Sequence, residues 1–458
     1  MQQTQENSKT VWYKKIPDPM ALIFFISVLV YLMHFFIPAG MFERVVESGK
    51  TKVVPNSFRL IEDSASLHVF DIFVAIPAGL IKAGPYLFIV FIAGGLFHIL
   101  QKTGALENAI GVWIHRMGLN KSNIIITICT FIYGFFGIAV GYENNIALVP
   151  IAVLIASAIG RSNLIGAMIA VGGIGVGFAL SPISPYTVGV AQTIGELPLF
   201  SGAPFRFIHV FSALGLLSFY ICRLAKKEEF RMQNSGLSKN LSQYSLSLKD
   251  ILTLASFVLG MGVMLYGVFV HKWYINQIAA VFIIIAIVIG VINGLGANKI
   301  VEQMIEGASG VTAGALVIGL AASIDVLLNK AQMIDTIVYY LSSHIQNVPV
   351  SIAAIAASVI QGIINLFIPS GSAQALVTMP ILIPVADLIG MSRQLMISAF
   401  QIGDGLTNLI IPTSGGTLAM IALAKVSYTK WLKHIFPFMV MVYVLSWGFL
   451  LVGYYIGF

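Results

Sequence analysis

Long apolar runs separated by short polar intervals make up most of the chain. Met20–Phe42, Tyr86–Leu100, Ile251–Val270, Ile275–Ile292 and Phe436–Phe458 are each apolar for about the length that crosses a hydrocarbon core, which predicts a spanning helix at each. Lys14 and Lys15 precede the first run, but no small-residue cleavage site follows it. An uncleaved first helix is therefore expected, not a signal peptide. Residues 1–19 form a polar N-terminal segment ahead of it.

One polar stretch interrupts the pattern, from Arg223 to Asp250, with Arg223, Lys226, Lys227, Arg231, Lys239 and Lys249 among Ser, Asn and Gln. An excess of Lys and Arg marks the cytoplasmic side, which assigns this linker (224–249) and the N-terminus to the inside and the mixed-charge loop Glu43–His68 to the outside. Two units, 20–223 and 250–458, flank the linker.

Sliding one unit along the other reveals an internal repeat. Leu100-Gln101-Lys102 and Leu106-Glu107 align with Leu328-Asn329-Lys330 and Ile334-Asp335. After a two-residue insertion, Gly141, Pro150, Gly160, Ser162, Gly173, Gly175, Pro182, Ser184 and Thr187 fall on Gly371, Pro380, Gly390, Ser392, Gly403, Gly405, Pro412, Ser414 and Thr417. A shared offset over roughly 80 residues is a repeat signature, and the crossings ahead of each unit make the two repeats inverted. Each unit runs from a spanning helix to an amphipathic stretch (Leu106–Met117 or Ile334–Ile345) and on to two apolar runs of about 17 residues, short for full crossings. Re-entrant hairpins at about 122–160 and 350–390, followed by broken helices at about 163–190 and 394–420, fit better. The expected fold is an all-α polytopic membrane protein with about nine spans and two hairpins.

Helix breaks at membrane depth leave backbone groups unpaired, so they persist only where protein or a water-filled cavity satisfies them. Four are expected: the tips Gly141-Tyr142-Glu143-Asn144-Asn145 and Pro369-Ser370-Gly371-Ser372-Ala373-Gln374, and the interruptions Ser181-Pro182-Ile183-Ser184-Pro185-Tyr186-Thr187 and Ile411-Pro412-Thr413-Ser414-Gly415-Gly416-Thr417. Freed carbonyls can ligate a cation, and half-helix N-termini can hold a carboxylate. A plain Pro kink with Ser capping is the rival reading of any one break, but recurrence at matched positions favours a site. The candidate substrate ligands are Glu143, Asn144, Asn145, Ser181, Ser184, Tyr186, Ser370, Gly371, Ser372, Gln374, Asn408, Thr413 and Ser414.

Glu143 and Asp404 lie inside apolar stretches with no adjacent basic residue, which makes each a functional candidate. With Asn408, they are the expected ion-coupling residues, for a sodium ion at the tips or a proton. The competing roles are a protonated Glu143 capping its hairpin and an Asp404 bracing its break. Asp325 is expected to be structural near a helix end, and Glu107 and Asp335 solvated. His98 and His209 are read as packed or helix-end residues in preference to proton relays.

Composition narrows the function classes. The chain is 58% hydrophobic and 10% charged, with a mean hydropathy of +0.91, outside the balance of soluble domains. The net charge of +7 comes from basic residues beside helix ends, so a lipid bilayer is the expected partner, not nucleic acid. Cys129 and Cys222 have no metal-site or disulfide spacing. Gly172–Gly177 is not followed by Lys-Ser/Thr, which indicates close helix packing and argues against an ATP-driven pump. No catalytic pairing points to an enzyme, and hairpin repeats favour a carrier over a channel. Lys and Arg are absent from Ser122–Gly160, Ser162–Phe205, Val350–Ser392 and Gln394–Ala424, so the site is expected to be acidic and neutral, which suits an amino acid better than a dianion.

Three segments carry a family resemblance: Ser181–Gln192 with Leu197–Gly202, Ile368–Ala375 with Met379-Pro380, and Gln401–Gly415. In these the sequence resembles the DcuC-like family of the ion transporter superfamily, especially its YfcC branch, over nearly the whole chain. The resemblance implies inverted repeats, a homodimer formed by scaffold helices, an elevator-like transport domain and a bacterial cytoplasmic membrane. Related carriers move C4-dicarboxylates, short-chain fatty acids, aminobenzoyl-glutamate, or arginine and ornithine. This chain has Glu143-Asn144 where the branch often has an acidic pair, and Ala322 where it commonly has Arg. The expected function is secondary active transport of a small polar solute, most simply an amino acid, with a C4-dicarboxylate or other carboxylate as the alternative.

Overall fold

The computed structural model describes residues 19–47, 50–54, 57–62, 67–117, 122–228, 244–271, 273, 275–343 and 349–458. Most of the N-terminal segment and of the linker therefore lies outside the described residues. The chain begins with α1 (Pro19–Met33) and four short strands, β1 (Gly40–Met41), β2 (Arg44–Glu47), β3 (Lys50–Val53) and β4 (Arg59–Leu60). The first unit continues with α2 (Val69–Lys82), α3 (Gly84–Thr103), α4 (Ala105–Met117), α5 (Ser122–Val140), α6 (Val149–Ala158), α7 (Asn163–Ala167), α8 (Gly173–Ala179), α9 (Val188–Ile194) and α10 (Ala203–Lys227). The second comprises α11 (Leu248–His271), α12 (Ile275–Ile292), α13 (Ala297–Ser309), α14 (Thr312–Lys330), α15 (Ile334–Ser343), α16 (Val350–Asn365), α17 (Gly371–Leu388), α18 (Arg393–Thr407), α19 (Gly415–Leu423) and α20 (Tyr428–Tyr455).

The order from α3 to α10 recurs from α14 to α20, with two differences: a 3-10 turn, Glu143–Leu148, precedes α6 where α17 starts directly, and a π-helical turn, Met168–Gly172, joins α7 to α8 where α18 is continuous. One matched pair of glycines does matched work, whereas Ser162, the match of Ser392, donates to Glu228 and does not cap its helix. Gly160 and Gly390 take the left-handed conformation, with φ of 70° and 73°, which ends α6 and α17 at the same place in each unit. Ser392, two residues on, caps α18 by accepting from the Leu395 amide at 3.1 Å.

Among the described residues, six helices are long and apolar enough to cross a membrane, or up to seven if the bent pair α14–α15 is one span. The expected run Met20–Phe42 is helical only to Met33. Pro38 and Gly40 follow and disfavour continuation. The fold is predominantly helical, yet the expectation of an all-α chain is corrected in the loop between α1 and α2, where β2 pairs antiparallel with β3 and β1 with β4. The loop that carries these strands folds back on α15. The Phe42 amide donates to Asp335 Oδ2 at 2.9 Å, Arg44 pairs with Asp335 Oδ1 at 2.7 Å, and Phe58 stacks on Tyr339 at 4.2 Å. Asp335, expected to be solvated, is thus buried in an ion pair.

Lipid supplies no hydrophobic drive between helices, so association rests on close packing and small residues. On α12, Ile278, Phe282, Ile285 and Ile289 face protein while Ile283, Ile284, Ile287 and Val291 are exposed, one stripe for the core and one for acyl chains. Close contacts also cross between units. α2 packs along α14, and α13 along α3. A Cβ on Gly79 would fall 2.5 Å from the Gly319 carbonyl oxygen, and one on Gly94 would fall 2.7 Å from that of Gly307. Only glycine admits such an approach.

Candidate functional site

The first tip lies between α5 and a 3-10 turn, Glu143–Leu148, that leads into α6. Gly141, with φ of 106°, reverses the chain in a conformation that side chains resist. Buried Asn145 ties the tip down, its amide donating to the carbonyls of Phe136 (3.1 Å) and Gly141 (2.5 Å). Asn145 thus braces the hairpin from behind. Asn144 shares the turn, but its side chain lies outside those described. Tyr142 crosses to the other unit: its hydroxyl bonds Thr417 Oγ1 at 2.5 Å, and Thr417 in turn donates to the Asn408 carbonyl.

The second tip lies between α16 and α17. The amide of Asn365 donates to the Asp404 carbonyl (2.7 Å), Thr407 Oγ1 (2.7 Å) and Asn408 Oδ1 (3.2 Å), joining the end of α16 to the break after α18. Gln374 points away from the tip and donates to the Gln361 carbonyl at 2.9 Å and to Gln361 Oε1 at 2.6 Å. The breaks meet near the centre, where a Cβ on Gly405 would fall 2.3 Å from Ala179 Cα, and Gln401 donates to the Ser181 carbonyl at 2.5 Å. Ser181 donates in turn to the Ile138 carbonyl at 3.1 Å.

Both tips open on a cavity of about 420 Å³. Of the predicted residues, Gly141, Glu143, Tyr186, Ser370, Gly371, Ser372, Asn408, Thr413 and Gly415 line it. Asn145, Ser181, Pro182, Ser184, Pro185, Gln374, Asp404, Pro412 and Ser414 do not. The first residues of α17 and α19 are part of the lining, which sets two helix N-termini at the cavity wall.

Asp404 sits just behind this wall. A Cβ on Gly371 would fall 2.8 Å from Asp404 Oδ2 and 2.5 Å from Thr187 Cγ2, so the tip glycine is the gap beside the carboxylate. Both Asp404 oxygens are buried without a hydrogen-bond partner, as are Ser184 Oγ, Thr187 Oγ1, Asn365 Oδ1 and Thr413 Oγ1. A bare buried carboxylate is costly unless a proton or a cation neutralises it. Hydroxyl, amide and carboxylate oxygens are the donors a hard cation takes.

The cavity also holds charge that sequence windows missed. Lys82, the last residue of α2, and Asp325 of α14 line it and form an ion pair. The expectation of a site without a basic residue is corrected by α2 packing on α14, which brings a lysine from outside the repeat windows. Asp325, expected to be structural near a helix end, is thereby placed in the lining of the cavity. Elsewhere, Glu107 accepts from the Tyr244 hydroxyl at 2.8 Å, so it too departs from a simply solvated role. His98 meets Glu306 at 3.0 Å, and His209 is packed against Phe449 and bonded to Ser446. Neither reaches the cavity.

Apolar helices surrounding a polar cavity between two hairpin tips define a multi-pass membrane transporter. The chain belongs to the DcuC family, described as a C4-dicarboxylate anaerobic carrier, whose family model matches residues 16–455. This is a family of carriers, not enzymes. The chain is 28% identical, over 91% of its length and 92% of the relative's, to a protein of Escherichia coli (strain K12) named "Putative basic amino acid antiporter YfcC". A relative from Haemophilus influenzae (strain ATCC 51907 / DSM 11121 / KW20 / Rd) is 28% identical, over 85% of this chain and 79% of its own. Among solved structures, the Alcanivorax borkumensis YdaH transporter aligns over 96% of this chain and 99% of its own, with 16% identity and a TM-score of 0.45.

Proposed function

We propose that this transporter carries amino acids by alternating access, as an exchanger of arginine and ornithine type or by ion-coupled uptake. The observation that carries the reading is the cavity's charge inventory: Lys82, Asp325 and Glu143, together with the helix N-termini of α17 and α19. One cation and two carboxylates complement a solute with one carboxylate and two cations, as a basic amino acid has. The name of the Escherichia coli relative agrees. A C4-dicarboxylate is the second reading, favoured by the family's description and by Lys82 with the two N-termini.

Asp404, backed by Thr187 and Asn365, is assigned the coupling role, holding a sodium ion or a proton behind the substrate, with Glu143 and Asn408 beside it. The recurrent order of elements and the cross-packing of α2 and α13 support two inverted repeats with about nine spans. In this reading, hairpins and broken helices travel as an elevator against scaffold helices that form a homodimer. The N-terminus is cytoplasmic, the C-terminus outside, and the membrane is the bacterial cytoplasmic one. The test is uptake into proteoliposomes of labelled arginine, ornithine, neutral amino acids and succinate, each with and without a sodium or proton gradient or internal substrate. Accumulation of succinate alone would overturn the substrate assignment.

A further inference from the structure

We infer that Asp325 is the carboxylate that receives the substrate's cationic group, and that Lys82 is a tethered stand-in for that group, displaced when the substrate binds. This rests on the amino-acid reading of the same cavity and adds to it a recognition step.

The two partners are held very differently. Asp325 Oδ1 accepts from the Asn329 side chain at 2.8 Å, which fixes the carboxylate on α14, and its side chain is 22% exposed. Lys82 stands at the end of α2 on a flexible stem, with its side chain 55% exposed. An ion pair that open to solvent is screened and weakly held, so displacing the ammonium costs little. An incoming guanidinium offers Asp325 a planar fork in place of a single point charge.

Displacement also has a charge requirement. Once Lys82 leaves Asp325, its ammonium stands in the cavity and needs an anion. An amino acid brings one in its own carboxylate, so one internal pair becomes two pairs with the solute, and the second cation of a basic amino acid is left for Glu143, which also lines the cavity. A diamine would strand Lys82, and a dicarboxylate would strand Asp325. Both ends of the substrate are therefore read at once.

A purely structural staple between α2 and α14 is the competing account, but that contact is already secured. Gly79 packs against Gly319 and Ser323, and Lys330 pairs with Asp71 at 2.5 Å at the opposite end of α2. Neither contact opens on the cavity, whereas Lys82 and Asp325 both line it.

The experiment measures uptake of arginine and of agmatine, which is arginine without its carboxylate, by the full chain in proteoliposomes. Wild type, Lys82→Met, Lys82→Arg and Asp325→Asn are compared. Wild type is expected to favour arginine. Lys82→Met raises the KM for arginine roughly tenfold or more, the scale of a lost charge-assisted bond. The same variant leaves agmatine unchanged or improved, because the tethered competitor is gone. Lys82→Arg restores the preference, and Asp325→Asn weakens both solutes. An unchanged arginine-to-agmatine ratio in Lys82→Met overturns the displacement step while leaving amino-acid transport standing. Loss of both solutes in Lys82→Met, with Lys82→Arg active, also overturns it. If wild type takes up neither arginine nor any other amino acid, the amino-acid reading itself fails and the displacement step with it.

Discussion

Replacing Gly403 by Ala tests whether the second hairpin arm and the broken helix beside it must touch backbone to backbone. A Cβ at this position would lie 2.1 Å from the Ser358 carbonyl oxygen, 2.7 Å from Gln361 Cβ and 2.8 Å from the Gly362 amide. Ordinary contact begins at 3.4 Å, so α16 and α18 must part by about 1.3 Å (3.4 less 2.1). Because two of the three obstacles are backbone, no rotamer change relieves them. Overpacking of this kind costs about 1–3 kcal/mol. Separation also stretches the three bonds of the Asn365 amide, and stranding that buried group costs about 1–3 kcal/mol more. Alanine's better helix propensity returns about 1 kcal/mol. The net is about 3 kcal/mol, roughly 100-fold in the population of a correctly assembled site. The assay is initial uptake rate per folded carrier in proteoliposomes, with Gly448→Ala, where a Cβ meets nothing within 4 Å, as the control. Wild-type uptake by Gly403→Ala at normal abundance would refute the reasoning.

Other outcomes follow from the same contacts. Tyr142→Phe removes the hydroxyl bridge to Thr417, and uptake is expected to fall about five-fold, in line with about 1 kcal/mol for one hydrogen bond; no change in kcat or KM would count against a role for the bridge. Asn145→Ala strips two carbonyls of their donor, and thermal unfolding in detergent should show a loss of about 1–3 kcal/mol. Asp404→Asn keeps the shape but not the charge, so the protein should stay folded while uptake loses its dependence on a sodium or proton gradient; gradient-driven accumulation that persists unchanged would exclude Asp404 from coupling.

The breaks were legible in the sequence because their signals are local. Gly141, Pro182, Gly371 and Pro412 sit between apolar runs too short to cross, and lipid tolerates such interruptions only where protein or a water-filled cavity satisfies the backbone. The turns at Gly160 and Gly390 were similarly visible as matched residues. What stayed hidden depends on contacts between distant elements. Lys82 looks like a helix-end lysine until α2 is laid along α14. Asp335 looks solvated until the loop between α1 and α2 folds back to it, and Gln374 looks like a tip ligand until α17 turns it towards Gln361. Tyr142 carried no signal beyond its place in the tip, since its partner Thr417 lies in the other unit.

The reciprocal packing of α2 on α14 and α13 on α3 has a consequence for biogenesis. A nascent first half emerging from the translocon would present Gly79 and Gly94 to lipid, with grooves that only later-synthesised segments can fill. Maturation must therefore wait for the second half. Two fragments divided within the linker should be degraded when made singly, yet reconstitute transport when produced together in one cell.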